Sequence, residues 1–258
     1  MRRPRLMYVP FWLTYVFLYT PIVVLVVMSF NSDDSPYTFG GFSLKWYGEL
    51  ASDGTIQQGL VNTLIVAVGS TVLATVLGTM LAVGLARHSR SRVLDAISVM
   101  PAILPDLVLG IGLLVFYATI KLTLGLYSVL LAHAVFGMAF VTAVVRTRLA
   151  AHGDTSLEEA SRDLGATPFT TFMRITLPQL APGIAAGALL VFTLSIDEFV
   201  IASFTAAPLE PTLPMVIYSM VRFGVTPEIN ALATLLLAVS FTVVIAAQRM
   251  TRLTESLS

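Results

Sequence analysis

Residues 54–86 read GTIQQGLVNTLIVAVGSTVLATVLGTMLAVGLA, and not one of them is charged. Asp53 and Arg87 close the run at either end. About 20 consecutive apolar residues cover the hydrocarbon core of a bilayer as a helix. This stretch is longer than that. Its only polar groups are amides and hydroxyls, which a helix can satisfy internally. It is read as a membrane span.

Working outward, other charge-free runs lie between Arg5 and Asp33, Lys121 and Arg146, Arg174 and Asp197, and Glu228 and Arg249. A further run, Ala96 to Ile120, is apolar apart from Asp106 and is also read as a span. The expectation is an all-α membrane protein with six transmembrane helices near 8–30, 61–86, 96–120, 123–145, 183–206 and 229–248. Residues 1–258 then form a single transmembrane domain. Composition agrees: 56% of the 258 residues are apolar and 12% are charged. A soluble domain carries about 25% charged residues. Fifteen basic residues balance fifteen acidic ones, so net charge gives no argument for nucleic acid. With no cysteine, disulfides, thiolate metal sites and thiol nucleophiles are excluded.

Basic residues set the orientation, because cytoplasmic segments collect Lys and Arg. With the N-terminus inside, the inner segments hold Arg2, Arg3, Arg5, Arg87, Arg90, Arg92, Arg146, Arg148, Arg162, Arg174, Arg249 and Arg252. Only Lys45, Lys121 and Arg222 fall outside. Both termini are therefore expected in the cytoplasm. The first apolar run is too long for a secretory signal core and lacks a small-x-small cleavage site, so it is read as a retained anchor. The outer loop 31–60 has room for a short surface helix around Ser43–Leu50. The outer loop 207–228 is bent by Pro208, Pro211, Pro214 and Pro227.

The longest inner loop, 146–182, carries the most local information. Thr155 and Glu158 have the spacing of a capping box. A first short helix is expected to run to about Leu164. Gly165 follows where a left-handed backbone is often needed. Thr167-Pro168 restarts a helix with a cap and a first-turn proline, which runs to about Ile175. Pro178 and Pro182 are then expected to break the chain before the fifth span. Such an elbow is either a solvated connector or a docking knob for a soluble partner.

Glu159-Ala160-Ser161, then Gly165 four residues on, then Ile175-x-Leu177-Pro178 resembles the E-A-A-x-x-x-G-(x9)-I-x-L-P signature. That signature marks the permease subunits of ATP-binding-cassette importers of the binding-protein-dependent, type I (MetI-like) kind. Ser161 replaces its second alanine. The resemblance implies that this loop is a coupling helix seated on an ATPase subunit, with Glu158, Glu159, Ala160, Ser161, Arg162, Asp163, Gly165, Ala166, Ile175, Leu177 and Pro178 as the coupling set. The small residues allow close approach and the charged ones can pair across the interface. For Glu159 and Gly165, folding of the loop itself is the competing role. Phe192 to Phe204, Ile217 to Val221, Gly224 to Thr234, Tyr19 to Ile22 and Ser29 to Ser32 are further similar to the spermidine/putrescine permease C subunits. The resemblance implies an inner-membrane subunit, and its partners would be a second permease (a different, homologous chain), two ATPases and an extracytoplasmic binding protein. It implies no cofactor in this chain, ATP and Mg being bound by the partner ATPase.

Acids within spans bear on cargo. A carboxylate at the bilayer centre costs about 2.5–3.5 kcal/mol on insertion scales and normally faces protein or a water-filled path. Asp106 lies about 15 Å into its span and Asp197 about 21 Å into its own, at the helical rise per residue. Asp197, Glu198 and Asp106 are candidate path residues for a passing polycation. Asp197 and Glu198 cannot both face the same way on one helix. The competing reading is structural, and Asp106, directly after Pro105, could cap a broken helix. Glu228 is either a path residue or a dipole-favoured acid at a helix start. Tyr218 is either an aromatic face for an ammonium group or an interfacial anchor. His133 is read as a bonded packing residue.

No G-x-x-x-x-G-K-[ST] loop is present, and the two lysines, Lys45 and Lys121, both fall outside. No H-E-x-x-H or G-x-S-x-G occurs. The chain is therefore read as a non-catalytic subunit whose motor is another protein. Rival readings are the same transporter class carrying thiamine, ferric iron, a phosphonate or an opine, an ion-coupled secondary transporter, and a scaffold without transport.

Overall fold

Each apolar run folds as helix, because in hydrocarbon every backbone polar group must be satisfied within its own segment. The computed structural model describes residues 8–35, 37–88, 91–151, 156–224 and 226–255. In chain order the helices are α1 (Tyr8–Met28), α2 (Lys45–Ser52), α3 (Gly54–His88), α4 (Arg92–Ile103), α5 (Asp106–Thr119), α6 (Leu126–Ala151), α7 (Ser156–Asp163), α8 (Pro168–Thr171), a π turn (Phe172–Thr176), α9 (Leu177–Asp197), α10 (Val200–Thr205), α11 (Leu213–Phe223) and α12 (Pro227–Glu255). Among the described residues the only extended pairing is one isolated bridge, Asn31 to Phe42.

Four helical stretches are long and apolar enough to cross a membrane: Pro10–Met28, Gly54–Arg87, Leu126–Ala151 and Pro168–Asp197. The expected third span is corrected. It is two helices, α4 and α5, bent by 108°. Leu104 and Pro105 are extended at the break, as expected before and at a proline that cannot continue the helical ladder. Counting that pair as one gives five candidate spans.

The expected fifth span is corrected at both ends. It does not begin after a break at Pro178 and Pro182. Helix runs continuously from Pro168 through the π turn into α9. Pro178 is the second residue of α9, directly after the π turn. Pro182 lies inside the helix. There Arg148 of α6 packs on Gly183 and its Nε donates to the Gln179 carbonyl at 3.4 Å. At the far end α9 stops at Asp197, Glu198 is extended, and α10 begins at Val200.

The chain divides into two bodies. One comprises the described residues up to Gln57 and from Ile217 onward. In it α12 packs against α1 and α2. The expected surface helix of the first outer loop is present as α2. The turn before it is built on Asn31, whose buried amide donates to the Ser35 and Thr38 carbonyls and accepts from the Asp33 and Gly40 amides. Trp46 donates to the Asn31 carbonyl at 2.7 Å, pinning α2 to this turn.

The other body, Gln58–Val216, contains the principal core. Ala74 and Ala82 of α3, Val141 and Val145 of α6, and Leu180 and Val191 of α9 form one buried cluster. Small residues let the backbones approach, as is usual between membrane helices. At Gly137 a Cβ would stand 2.5 Å from a Val191 methyl. A second cluster joins Leu109 of α5, Ala132 and Phe136 of α6, and Ile201 of α10. The two short helices that follow the breaks, α5 and α10, therefore pack together.

Candidate functional site: the elbow and the helix breaks

The elbow is built from α7, Gly165, α8 and the π turn. Gly165 has φ +83°, the left-handed region that glycine enters without penalty. The Gly165 amide donates to the Arg162 carbonyl at 2.8 Å, and the Ala166 amide to the Ser161 carbonyl at 3.1 Å. This pair of bonds is the Schellman arrangement that ends a helix. Thr167 then caps α8, its hydroxyl accepting from the Thr170 amide at 3.2 Å, with Pro168 at the first helical position. The expected elbow is therefore present. The second arm does not end at Ile175 but continues into α9.

Thr155, the expected cap of the first arm, lies outside the described residues. The box it would form with Glu158 therefore lies outside them too. Both carboxylate oxygens of Glu158 face the Arg87 guanidinium, at the end of α3, in a two-pronged ion pair. Thr176 donates its hydroxyl to Glu158 Oε1 at 2.7 Å. The Arg87 guanidinium beside Glu158 holds its carboxyl below the usual carboxylate range, with the Thr176 hydroxyl adding to the effect and burial opposing it. Nothing in local spacing signalled this contact, since Arg87 and Glu158 are 71 positions apart.

The rest of the elbow turns outward. Glu159, Ala160, Arg162, Asp163, Gly165 and Pro178 are exposed, while Ser161, Ala166, Ile175 and Leu177 are half-buried. Leu164 and Phe169 are 89% and 69% exposed, and Leu157 is 58% exposed. Leu157 and Leu164 sit on the polar segment between the long apolar helices, and Phe169 lies in the first turn of the helix that runs on into α9. Beside them a shallow open depression of about 420 Å³ is lined by Leu157, Ala160, Ser161, Leu164, Ala166, Thr170, Arg174 and Ile175. Leu157, Leu164 and Phe169 were missed in the sequence because an isolated apolar residue in a loop has no periodicity to flag it.

The helix breaks hold the candidate acids. Asp106 opens α5 and is exposed. Asp197 ends α9 and is exposed. Glu198, next to it, is buried. Its carboxylate accepts the Ile201 amide at 2.9 Å and the Ala202 amide at 3.0 Å, at the first turn of α10. His133 Nε2 of α6 lies 3.4 Å from Glu198 Oε2. His133 Nδ1 is 2.7 Å from the Ser195 hydroxyl, which is 3.2 Å from that of Ser70. A buried polar chain thus runs from α3 through α9 and α6 to the break. Asp106 lies close enough to Glu198 to feel its charge. In the other body, Tyr218 lies on α11 and is half exposed. Glu228 is in the first turn of α12, within electrostatic reach of Asp53 and Glu49. Among the described residues no group of three or more His, Asp or Glu is arranged to hold a metal ion.

Comparison with known proteins places this arrangement. Residues 71–255 match the family described as "Binding-protein-dependent transport system inner membrane component". The putrescine transport system permease protein PotI of Escherichia coli K12 is 42% identical over 234 residues, covering 87% of this chain and 83% of that protein. The spermidine/putrescine transport system permease protein PotC of the same organism is 42% identical over 241 residues, covering 92% and 90%. PotC of Haemophilus influenzae is 38% identical over 244 residues, covering 93% and 94%. Among solved structures, a bacterial ABC transporter involved in import of the acidic polysaccharide alginate superposes with a TM-score of 0.70 at 14% identity, over 95% of this chain and 94% of that one. The MetNI methionine ABC transporter superposes with a TM-score of 0.60 at 21% identity, over 76% and 93%. Those two likenesses establish the fold, that of a type I importer permease. With its apolar helices, its capped elbow and these relatives, the chain belongs to the family of binding-protein-dependent transport system inner membrane components, the multi-pass inner-membrane permeases of ABC importers.

Proposed function

We propose that this chain forms half of the translocation path of an ATP-driven importer for a small organic polycation, a polyamine such as putrescine or spermidine. The observation that carries the reading is the elbow. It presents Leu157 and Leu164 outward from a polar segment, with Phe169 exposed at the start of the following helix, and exposed apolar groups of that kind mark a protein contact. Glu159, Arg162 and Asp163 flank them and supply charge for pairing. The partner is an ATPase subunit, and Ala160, Ser161, Gly165 and Ala166 permit its close approach. Ile175, Leu177 and Pro178 carry the movement into the fifth span.

In this reading there are six spans, with both termini in the cytoplasm. The bent pair α4 and α5 is the third span, α9 with α10 the fifth, and α12 the sixth. A second, homologous permease completes the path, two ATPases bind ATP and Mg below, and a solute-binding protein delivers cargo from outside. Cargo charge is read from Asp106 and Asp197, exposed at the two breaks, and from the names of the relatives. Glu198 serves the path indirectly, since both of its oxygens are committed to α10. Glu228, with Glu49 and Asp53 nearby, lends negative potential to the outer end, and Tyr218 is an aromatic neighbour for an ammonium group.

The test is reconstitution of the whole complex in liposomes with its binding protein. Putrescine or spermidine should raise ATPase turnover and be taken up only with ATP. Stimulation by thiamine, ferric iron or a phosphonate instead would replace the cargo. Uptake by the chain alone under an ion gradient would end the importer reading.

A further inference from the structure

We propose that Arg87 is a positioning residue for coupling: through Glu158 it clamps the elbow to the cytoplasmic end of α3 and to the π turn at the base of α9. The proposal rests on the reading of the elbow as the ATPase seat, and adds how movement of that seat reaches the second and fifth spans together.

The geometry is specific. α7 has eight residues, too few to hold a helical shape without tertiary support. It packs on α8 and the π turn. Glu158 is its single buried residue, and a buried carboxylate requires partners. Those partners come from two different spans. Arg87 is the penultimate residue of the 35-residue helix α3, and Thr176 closes the π turn that leads into α9. Around them, the Ser161 and Thr171 hydroxyls meet at 3.1 Å and tie α7 to α8. Along the chain, a push on the elbow passes through the π turn into α9. The Arg87–Glu158 pair adds a lateral route into α3. The planar guanidinium fork fixes an angle as well as a distance, which a lysine ammonium does not. This gives Glu158 a role inside the chain, distinct from the outward Glu159.

The experiment uses the reconstituted complex. The chain has no cysteine, so spin labels can be placed at Ala86 and Asp163 alone. The distance between them is measured by pulsed electron resonance, with and without ATP. The wild-type distribution should stay narrow and unchanged between the two states. In R87A it should broaden or shift with ATP, and uptake per ATP hydrolysed should fall roughly tenfold, a typical coupling magnitude. The exchange R87E with E158R should restore both. Should R87A fail to assemble, R87K keeps the charge but not the fork, and its distribution should also broaden. A wild-type distance that already changes with ATP, or variants as narrow and as well coupled as wild type, would overturn the clamp. The underlying seat is checked separately: L164D with F169D should abolish co-purification of the ATPase. Retention there would refute the seat and leave the measured clamp standing.

Discussion

His133 Nε2 stands 3.4 Å from Glu198 Oε2, at the break between α9 and α10. The contact divides two adjacent acids by role. Glu198 spends its carboxylate on the Ile201 and Ala202 amides, while Asp197 is exposed beside it. Glu198→Ala should destabilise the protein by about 1–3 kcal/mol, the cost of leaving buried donors unpaired. Asp197→Asn should leave the melting temperature within about a degree or two, as surface changes do, and lower uptake more than ATPase turnover. Thermal unfolding in detergent, beside transport in liposomes, checks both. Equal thermal losses would remove the distinction.

Gly165 offers a purely conformational test. A Cβ there meets nothing within 4 Å, yet φ is +83°. Gly165→Ala should cost about 1–2 kcal/mol through backbone strain alone, and Gly165→Asn less, because asparagine tolerates this region. Limited proteolysis of the elbow should rank them alanine fastest, asparagine next, wild type slowest. Equal rates for alanine and wild type would contradict the left-handed turn.

Gly137 tests packing instead. An added methyl would stand 2.5 Å from a Val191 methyl. Overpacking of this kind costs about 1–3 kcal/mol. Gly137→Ala should lower thermal stability, and Val191→Ala in the same chain should recover part of the loss. The double variant should be more stable than additivity of the two single changes allows. Strict additivity would mean that α6 and α9 do not meet there.

Acid should loosen the elbow. The folded Glu158 carboxyl titrates below its ordinary value of 4.5, chiefly because of Arg87. A lowered folded value means that this stability is fully present above the unfolded value and is lost as pH falls through the folded one. Hydrogen exchange in α7 should therefore be flat across neutral pH, after correction for intrinsic rates, and rise only below about pH 4, near the unfolded carboxylate range. In E158Q that acid-dependent rise should vanish. Its survival would mean that another group controls the transition.

Charge-free runs and the ends of elements were legible residue by residue. Gly165, Thr167 and Pro168 are local devices, and each acts where its neighbours in sequence place it. Pro105 offered a broken helix only as the competing reading of the third span, although its effect depends only on the adjoining backbone. Pro182 misled for the same reason: its local rule is to interrupt, but Arg148 from another helix packs at that turn and the helix continues. The break at Glu198 has no proline to announce it, and it is held by the very carboxylate that reads as a path acid.

The amino-acid order alone determined which segments are helical and apolar, where the elbow bends, and which family the chain resembles. It could do so because membrane insertion, capping and turn formation are governed by short-range composition. Tertiary structure decided which acids are committed and which stay open, how α9 passes its prolines, and that Arg87 takes Glu158. Those outcomes depend on side chains as far apart as 71 and 125 positions along the chain. Only packing of the spans brings them within hydrogen-bonding distance.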